Sequence, residues 1–487
     1  MSPFKKFFIQ FSHFFTGGAL SLMLGLITFP ILTRIMSTEQ YGIMGLVTTT
    51  MSLAVAFSKA GLSNGMIRFY QQFRDSEAQR TIFASTVLIR GLILSIITTG
   101  LYLVLFPFLN LYLGISQKFI FCFMIMSAYL FIRPINIIIL NMLRVNDKTV
   151  FMNVLGVAGR IISIVLALTL FIYVVHNLYG YFIGIIISEF IVSIILFHWF
   201  FSNYRIKLNT VSKDLTVNLV KFGVPLLFTE LAYLLLSYAD RYMLVAWHGE
   251  STLGIYTVGY NLAMYLANLL TFALAYTVIP VYVEVYEQEG REKTEDFLNK
   301  CMHYLIIAVL PICFGYYAVA NDLFIVLASE KYLRAATFSP IILVGTFIMD
   351  MNNVFNAGLY LKKKTTVILL IMLTAVVVNI ILNLILLPRF GIMGAAVATL
   401  IACVVSSALT INLSFKHIFV RVRIQHIAYY LFLSVLMYWI VQQVNVSGHF
   451  ANLLTKIIVG ACVIVPGVVF KEKEILYFFK RTLSVFF

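Results

Sequence analysis

Five basic side chains, Arg34, Lys59, Arg90, Arg133 and Arg160, fall within or at the ends of stretches otherwise built of Leu, Ile, Phe and Val. One acid, Glu189, shares their half of the chain, which leaves a balance of +4. An Arg or Lys at the centre of a membrane helix opposes insertion by roughly 2.5–3.5 kcal/mol. Five of them oppose it by on the order of 10 kcal/mol, even where some reach the interface. Arg90, Arg133 and Arg160 lie about 8–10 residues inside the inner ends of their apolar stretches, roughly 12–15 Å in helix and beyond easy snorkelling. One carboxylate cannot neutralise three guanidinium groups. Guanidinium stays charged when buried, and its fork binds phosphate oxygens two at a time. The chemistry these residues suggest is a basic, water-filled cavity that receives a phosphate-bearing anion. The structural alternative is pairing with Glu189 or with carbonyls released near Pro134. Arg34, near an outer end, can also reach the interface, and Lys59, within two turns of an inner end, can also snorkel.

A second group lies in the stretch LLLSYADRYMLVAW, residues 234–247. Glu230, Leu234, Ser237 and Arg241 follow helical spacing and share one stripe, with Tyr233 and Asp240 on its flank. Adjacent helix residues do not face each other, so Asp240 and Arg241 each need a partner of their own. Asp350 is a candidate partner for Arg241. Asp240 reads either as a gating or ion-coupling group or as a lock between helices. Glu189, Glu230, Arg241 and Asp350 complete the gating and coupling candidates. The second half balances Glu230, Asp240 and Asp350 against Arg241, a total of −2.

These groups need spans to hold them, and the composition supplies little else. The 487 residues are 61% hydrophobic and 11% charged, with a mean hydropathy of +0.96. A soluble chain of this length could not solvate such a surface, so the class is an all-α polytopic membrane protein. The net charge of +15 does not signal nucleic acid, because most Lys and Arg fall in short gaps between apolar runs. The run after Lys5 and Lys6 continues to Ile35 without a small-residue cleavage site and reads as a first span, not a signal peptide. The five cysteines lack metal-ligand spacing and read as apolar fillers.

A span needs about 20 apolar residues. Fourteen are expected, at 11–35, 41–63, 82–106, 119–141, 150–173, 178–200, 222–247, 254–279, 301–328, 336–361, 366–387, 391–413, 424–442 and 452–470. With the N-terminus inside, cytoplasmic segments hold 24 Lys and Arg, and outer loops hold four, Lys118, Lys331, Arg334 and Arg389. The bias places both termini in the cytoplasm. Short outer loops leave no room for the catalytic domain of a membrane enzyme of glycan assembly, and no phosphate-binding P-loop is present.

The chain also echoes itself. TRIM (33–36) before YGIM (41–44) is matched by DRYM (240–243) before LGIY (253–256), and MIRFY (66–70) by VIPVY (278–282). RPIN (133–136) before LRVNDKT (143–149) parallels MDMN (349–352) before LYLKKKT (359–365). The even number of intervening spans gives two parallel copies, with a transport site between them near the midplane. The expected division is an N-terminal lobe at 1–200, a cytoplasmic linker at 201–221, a C-terminal lobe at 222–413, and two added spans with a tail at 414–487.

PILTRIMSTEQYGIMGL (30–46), GLSNGMIRFY (61–70), KFGVPLLFTE (221–230) with LLLSYADRYML (234–244) and LGIYTVGY (253–260), and LNLILLPRFGIMGAAVAT (382–399) resemble polysaccharide flippases. These are the O-antigen and capsule repeat-unit exporters of the multidrug/oligosaccharidyl-lipid/polysaccharide (MOP) superfamily. The resemblance covers spans one to twelve. It implies a V-shaped, MATE-like transporter of two six-helix lobes in the bacterial cytoplasmic membrane, not an enzyme. It would carry an undecaprenyl-pyrophosphate-linked oligosaccharide from the cytoplasmic to the outer leaflet by alternating access. Arg34 matches the arginine of the family's TR…YG motif, and Asp240 and Arg241 match its DR pair. Arg90, Arg133 and Arg160 match no family motif and rest on the charge argument. No cofactor is implied. Coupling to membrane potential, H+ or Na+ stays open, and candidate partners besides the bilayer are other polysaccharide-assembly membrane proteins. The sibling readings are a MATE-like cation or drug antiporter and a lipid II flippase. The drug branch carries an acid on span one, whereas residues 11–35 contain no Asp or Glu.

Overall fold

In hydrocarbon a backbone must satisfy its own hydrogen bonds, and this chain does so as helix. The computed structural model describes residues 20–472 except 21, 422 and 423, and every regular element among them is helical. The elements are α1 (Leu22–Ile35), α2 (Thr38–Lys59), α3 (Leu62–Phe69), α4 (Glu77–Leu113), α5 (Gln117–Val145), α6 (Thr149–Thr169) and α7 (Leu178–Asn203). They continue with α8 (Lys213–Glu289), α9 (Arg291–Leu327), α10 (Ala335–Phe355), α11 (Ala357–Leu361), α12 (Thr365–Phe390), α13 (Ile392–Ser414), α14 (Ile424–Gln442) and α15 (His449–Lys471).

Among the described residues eleven helices are long and apolar enough to cross a membrane, and Leu22–Ile35 and Ile427–Gln442 are shorter apolar helices. One of the eleven, within α8, holds two of the expected spans, so each of the fourteen finds a helix. Residues 11–19 of the first span lie outside the described residues.

The differences are at the ends. Helix α4 overruns the expected 82–106 on both sides. Ser76 caps its start by accepting from the Gln79 N–H at 3.2 Å, and Gly114 ends it at φ 62°. Pro107, just past the expected end at 106, sits inside α4, as prolines do in membrane helices where neighbours re-satisfy the freed carbonyl. Spans seven and eight form one helical run broken at Gly249 (φ 79°, ψ 176°), a conformation that a side chain would strain. Between α1 and α2, Ser37 and Gln40 form a reciprocal capping box.

Packing divides the chain into two compact units, Met1–Thr257 with Met372–Ala398, and Val258–Ile371 with Thr399–Phe487. In the first, one core cluster is formed by Met66, Phe83, Val87, Ile138, Leu196, Phe200 and Leu219. Beside them Tyr70, Asn146 and Tyr204 are joined by hydrogen bonds of 2.7–3.1 Å. The segment after α7 is tied back to α4, with the Lys207 and Ser212 N–H groups donating to Ser85 Oγ and Thr86 Oγ1 at 3.0 Å each. Further along α4, Leu101, Val104, Leu105, Phe108 and Leu111 are exposed, as a lipid-facing band requires.

In the second unit α14 and α15 pack on α9 through Ala318, Val319, Met437, Val441 and Leu453. Both ends are also pinned by polar contacts. At one, Asp322 accepts from Lys456 Nζ at 2.8 Å, Asn452 Nδ2 at 2.8 Å and His449 Nδ1 at 3.0 Å. At the other, Glu472 accepts from Tyr430 OH at 2.6 Å and meets His303 Nε2 at 2.9 Å. The two added spans thus brace α9.

Candidate anion site and helix seam

The three central arginines lie on α4, α5 and α6, about 11–13 residues from the Glu77, Val145 and Thr149 ends of those helices, roughly 17–20 Å along their axes. Arg133 Nη1 donates to Glu189 Oε1 of α7 at 3.1 Å. Asn136, one turn on, donates through Nδ2 to the same oxygen at 2.7 Å and accepts at Oδ1 from Ser193 Oγ at 3.0 Å. Next to Glu189, Ser188 Oγ donates to the Gly159 carbonyl of α6 at 2.9 Å, which sets Arg160 at the level of the Arg133–Glu189 pair. On the other side Gly91, adjacent to Arg90, lies against Ile138 of α5.

Glu189 therefore serves Arg133. Arg90 and Arg160 have no ion-pair partner among the described residues, and Arg90 Nε is buried without a hydrogen bond. Arg160 is exposed on α6. A buried guanidinium N–H lacking an acceptor is costly, and an anion is one group that relieves it.

The polar stripe of α8 meets α2 along an antiparallel seam. Lys59 Nζ donates to Glu230 Oε1 at 2.6 Å. Leu227, Leu231 and Leu234 pack on Leu53 and Ala56. Arg241 Nη1 donates to Thr49 Oγ1 at 3.1 Å with its guanidinium 4.7 Å from the Tyr238 ring centroid. Tyr242 OH and Thr50 Oγ1 are 2.9 Å apart. Asp240, fully buried, accepts from Tyr256 OH beyond the Gly249 break. The adjacent acid and base thus have separate partners, as their angular separation requires.

Two glycine contacts close this seam. A Cβ on Gly61 would stand 2.2 Å from the Gly223 carbonyl carbon, and one on Gly254 would stand 1.9 Å from the Thr38 carbonyl oxygen. Near the second contact, Glu250 accepts from the N–H and Oγ of Ser116 at 2.7 and 3.1 Å, at the start of α5. Lys118 Nζ pairs with Glu39 at 2.6 Å.

Of the other sequence candidates, Arg34 is exposed near the end of α1, and Asp350 is half-buried on α10 in the second unit. Asp322 and Lys456 were missed. Asp322 lies within expected span 301–328 and Lys456 within 452–470, where the signal that found Arg90 applies equally. Counting Asp322 changes the balance of spans seven to twelve from −2 to −3.

Among the described residues, apolar helices that accommodate the fourteen expected spans, with ion pairs buried between them, define a multi-pass membrane protein fold. Residues 10–286, more than half of the chain, match the model of the polysaccharide biosynthesis protein family, and the chain belongs to that family. Residues 225–385 match the MatE model. The chain is 25% identical over 372 residues to an uncharacterized membrane protein of Methanocaldococcus jannaschii, covering 72% of each. It is 26% identical over 179 residues to a probable low-salt glycan biosynthesis flippase of Haloferax volcanii, 36% of this chain and 37% of that one. Its fold is similar to that of the lipid II flippase MurJ in an inward closed conformation, with TM-score 0.79 and 15% identity over 95% of this chain and 99% of that one. It is also similar to an inward-facing multidrug resistance MATE transporter of the MOP superfamily, with TM-score 0.66 and 17% identity over 82% and 94%. The resemblance to MOP-superfamily flippases read from the motifs therefore holds at the level of family and fold.

Proposed function

We propose that this chain carries an undecaprenyl-pyrophosphate-linked oligosaccharide repeat unit from the cytoplasmic to the outer leaflet of the cytoplasmic membrane, by alternating access, for surface polysaccharide assembly. The observation that carries this reading is surplus positive charge. Glu189 is engaged with Arg133, while Arg90 and Arg160 on neighbouring helices form no ion pair among the described residues. A pyrophosphate supplies the missing negative charge, and its bonds to guanidinium offset part of the headgroup's desolvation. The family description and the curated glycan biosynthesis flippase among the relatives support a glycan-bearing cargo.

In this reading the lobes 1–200 and 222–413 rock about the cargo while the lipid tail stays in the bilayer. Arg34 and Lys59 line the cargo's route when the seam is open. Glu189, Glu230, Asp240, Arg241 and Asp350 gate that motion or couple it to membrane potential, H+ or Na+. Both termini face the cytoplasm, and the chemistry needs no catalytic residue.

The test is lipid translocation in proteoliposomes containing the lipid-linked repeat unit, comparing wild type with Arg90→Ala and Arg160→Ala after each is shown to be folded. A charge-assisted hydrogen bond is worth about 1.5–3 kcal/mol, so each variant should bind cargo roughly 10–100-fold more weakly and stall with it on the loading face. Normal transport by both variants would sink the anion site. Export of organic cations instead of lipid would move the assignment to the antiporter branch, and transport of lipid II alone to the other sibling.

A further inference from the structure

A second cluster of positive charge lies in the Val258–Ile371/Thr399–Phe487 unit. The turn between α11 and α12 carries Lys362, Lys363 and Lys364, and the segment after α13 carries Lys416, His417 and Arg421. Packing forces the two together. The Gly358 N–H donates to Ser414 Oγ at 3.0 Å, and a Cβ on Gly358 would stand 2.4 Å from the Ser414 carbonyl oxygen. Lys364 Nζ comes within 3.1 Å of His417 Nε2, a contact that requires a neutral imidazole as acceptor. Lys363 takes a left-handed conformation (φ 56°), held by its N–H to the Tyr360 carbonyl at 2.9 Å and by the Lys364 N–H to the Leu359 carbonyl at 2.8 Å.

A topology signal needs only that lysines lie in a loop. It does not need two loops locked so that Lys364 meets His417, with Lys362 and Lys416 within electrostatic reach of the same ring. The nearby carboxylates do not neutralise them. Glu295 is bound by Arg291 Nε at 2.7 Å and by the Phe419 N–H at 3.0 Å. Glu287, Glu289, Glu292 and Asp296 form no ion pair with these lysines among the described residues. Aromatic rings mark the same level. Phe415 packs edge-on against Phe355 and Phe419, at 5.9 and 5.2 Å between centroids, and Tyr360 and Phe419 are exposed. Exposed aromatics beside converging cations at helix ends are the makeup of a headgroup-level surface.

We propose that Lys362, Lys364 and Lys416 form a binding site for a phosphate-bearing anion at the membrane–water boundary, occupied by the headgroup of an anionic phospholipid. The site is separate from the transported cargo and does not depend on its identity.

The test is native mass spectrometry of the full chain in detergent, titrated with phosphatidylglycerol, with phosphatidylcholine, or with inorganic phosphate alone. Wild type should retain phosphatidylglycerol in preference to phosphatidylcholine. Each basic group near a headgroup contributes roughly a fivefold preference, so K362Q/K364Q/K416Q should weaken phosphatidylglycerol binding on the order of 100-fold. K362R/K364R/K416R should retain it, as should R74Q/R80Q/R205Q, which removes the same charge from the other unit. The site is overturned if the glutamine variant binds as wild type does, if the two lipids bind equally, or if the other-unit variant loses as much. Displacement of the lipid by millimolar inorganic phosphate would keep the anion chemistry but overturn the lipid as its source.

Discussion

Lys59 of α2 donates to Glu230 of α8 at 2.6 Å, so a base and an acid that the sequence separates by 171 positions close one end of a single seam. The pair is half-shielded, at 16% and 38% side-chain exposure, so its own worth is about 1 kcal/mol or less. Orientation is its larger effect. Glu230→Lys places two cations at the contact and should slow transport, whereas the reversed pair Lys59→Glu with Glu230→Lys should recover most of it. No recovery in a double-mutant comparison would mean that the two residues act separately.

The glycine contacts set a steric limit on the same seam. A side chain on Gly254 meets the Thr38 carbonyl, which belongs to backbone and cannot swing away. Gly254→Val should lower stability by about 1–3 kcal/mol, seen as a reduced melting temperature in detergent. Gly290→Ala, where the added Cβ meets nothing within 4 Å, should show only the penalty of its positive φ. Equal losses in both would show that packing at Gly254 is not the cause.

The contact of α9 with α15 depends on a buried pair. Lys456 and Asp322 have side-chain exposures of 12% and 8%. Lys456→Ala leaves a buried carboxylate with reduced compensation and should destabilise the protein by about 3–5 kcal/mol. Asp322→Leu with Lys456→Leu should cost much less, since neither charge remains. Thermal unfolding of the single and double variants decides it; a double variant as unstable as the single would reject the pairing argument.

The central arginines should separate by the same measurement. Arg133→Ala strands Glu189 and should lower stability, while Arg160→Ala removes a group with no ion pair among the described residues and should leave the melting temperature near that of wild type. If Arg160→Ala melts as early as Arg133→Ala, Arg160 has a structural role.

His417 lies outside the spans, and its imidazole is held below the ordinary range by desolvation and then by Lys364, Lys362, Lys416 and Arg291. With the folded pKa lowered, the unfolded chain binds the proton more readily. Its contribution to stability therefore declines as pH falls through about 6.5 and is flat above that. An NMR titration of labelled histidine should give a midpoint below the ordinary value, raised by Lys364→Gln. A midpoint unmoved by that change would deny the lysine's influence.

The sequence by itself determined the helices and most of the charge problem. Bilayer thickness demands runs of about 20 apolar residues, and such runs can be counted without knowing what packs on them. The presence of Arg90, Arg133, Arg160, Asp240 and Arg241 at depth was legible for the same reason, and the motifs reached the family. Helix ends were less legible, because α4 continues through Pro107 and past the expected end at 106. Only the tertiary structure decided which charge meets which. It joined Glu189 to Arg133, Lys59 to Glu230, and Asp322 to Lys456. A carboxylate's energy in a membrane depends on what lies within about 4 Å of it, and residues far apart in sequence reach that distance only through packing.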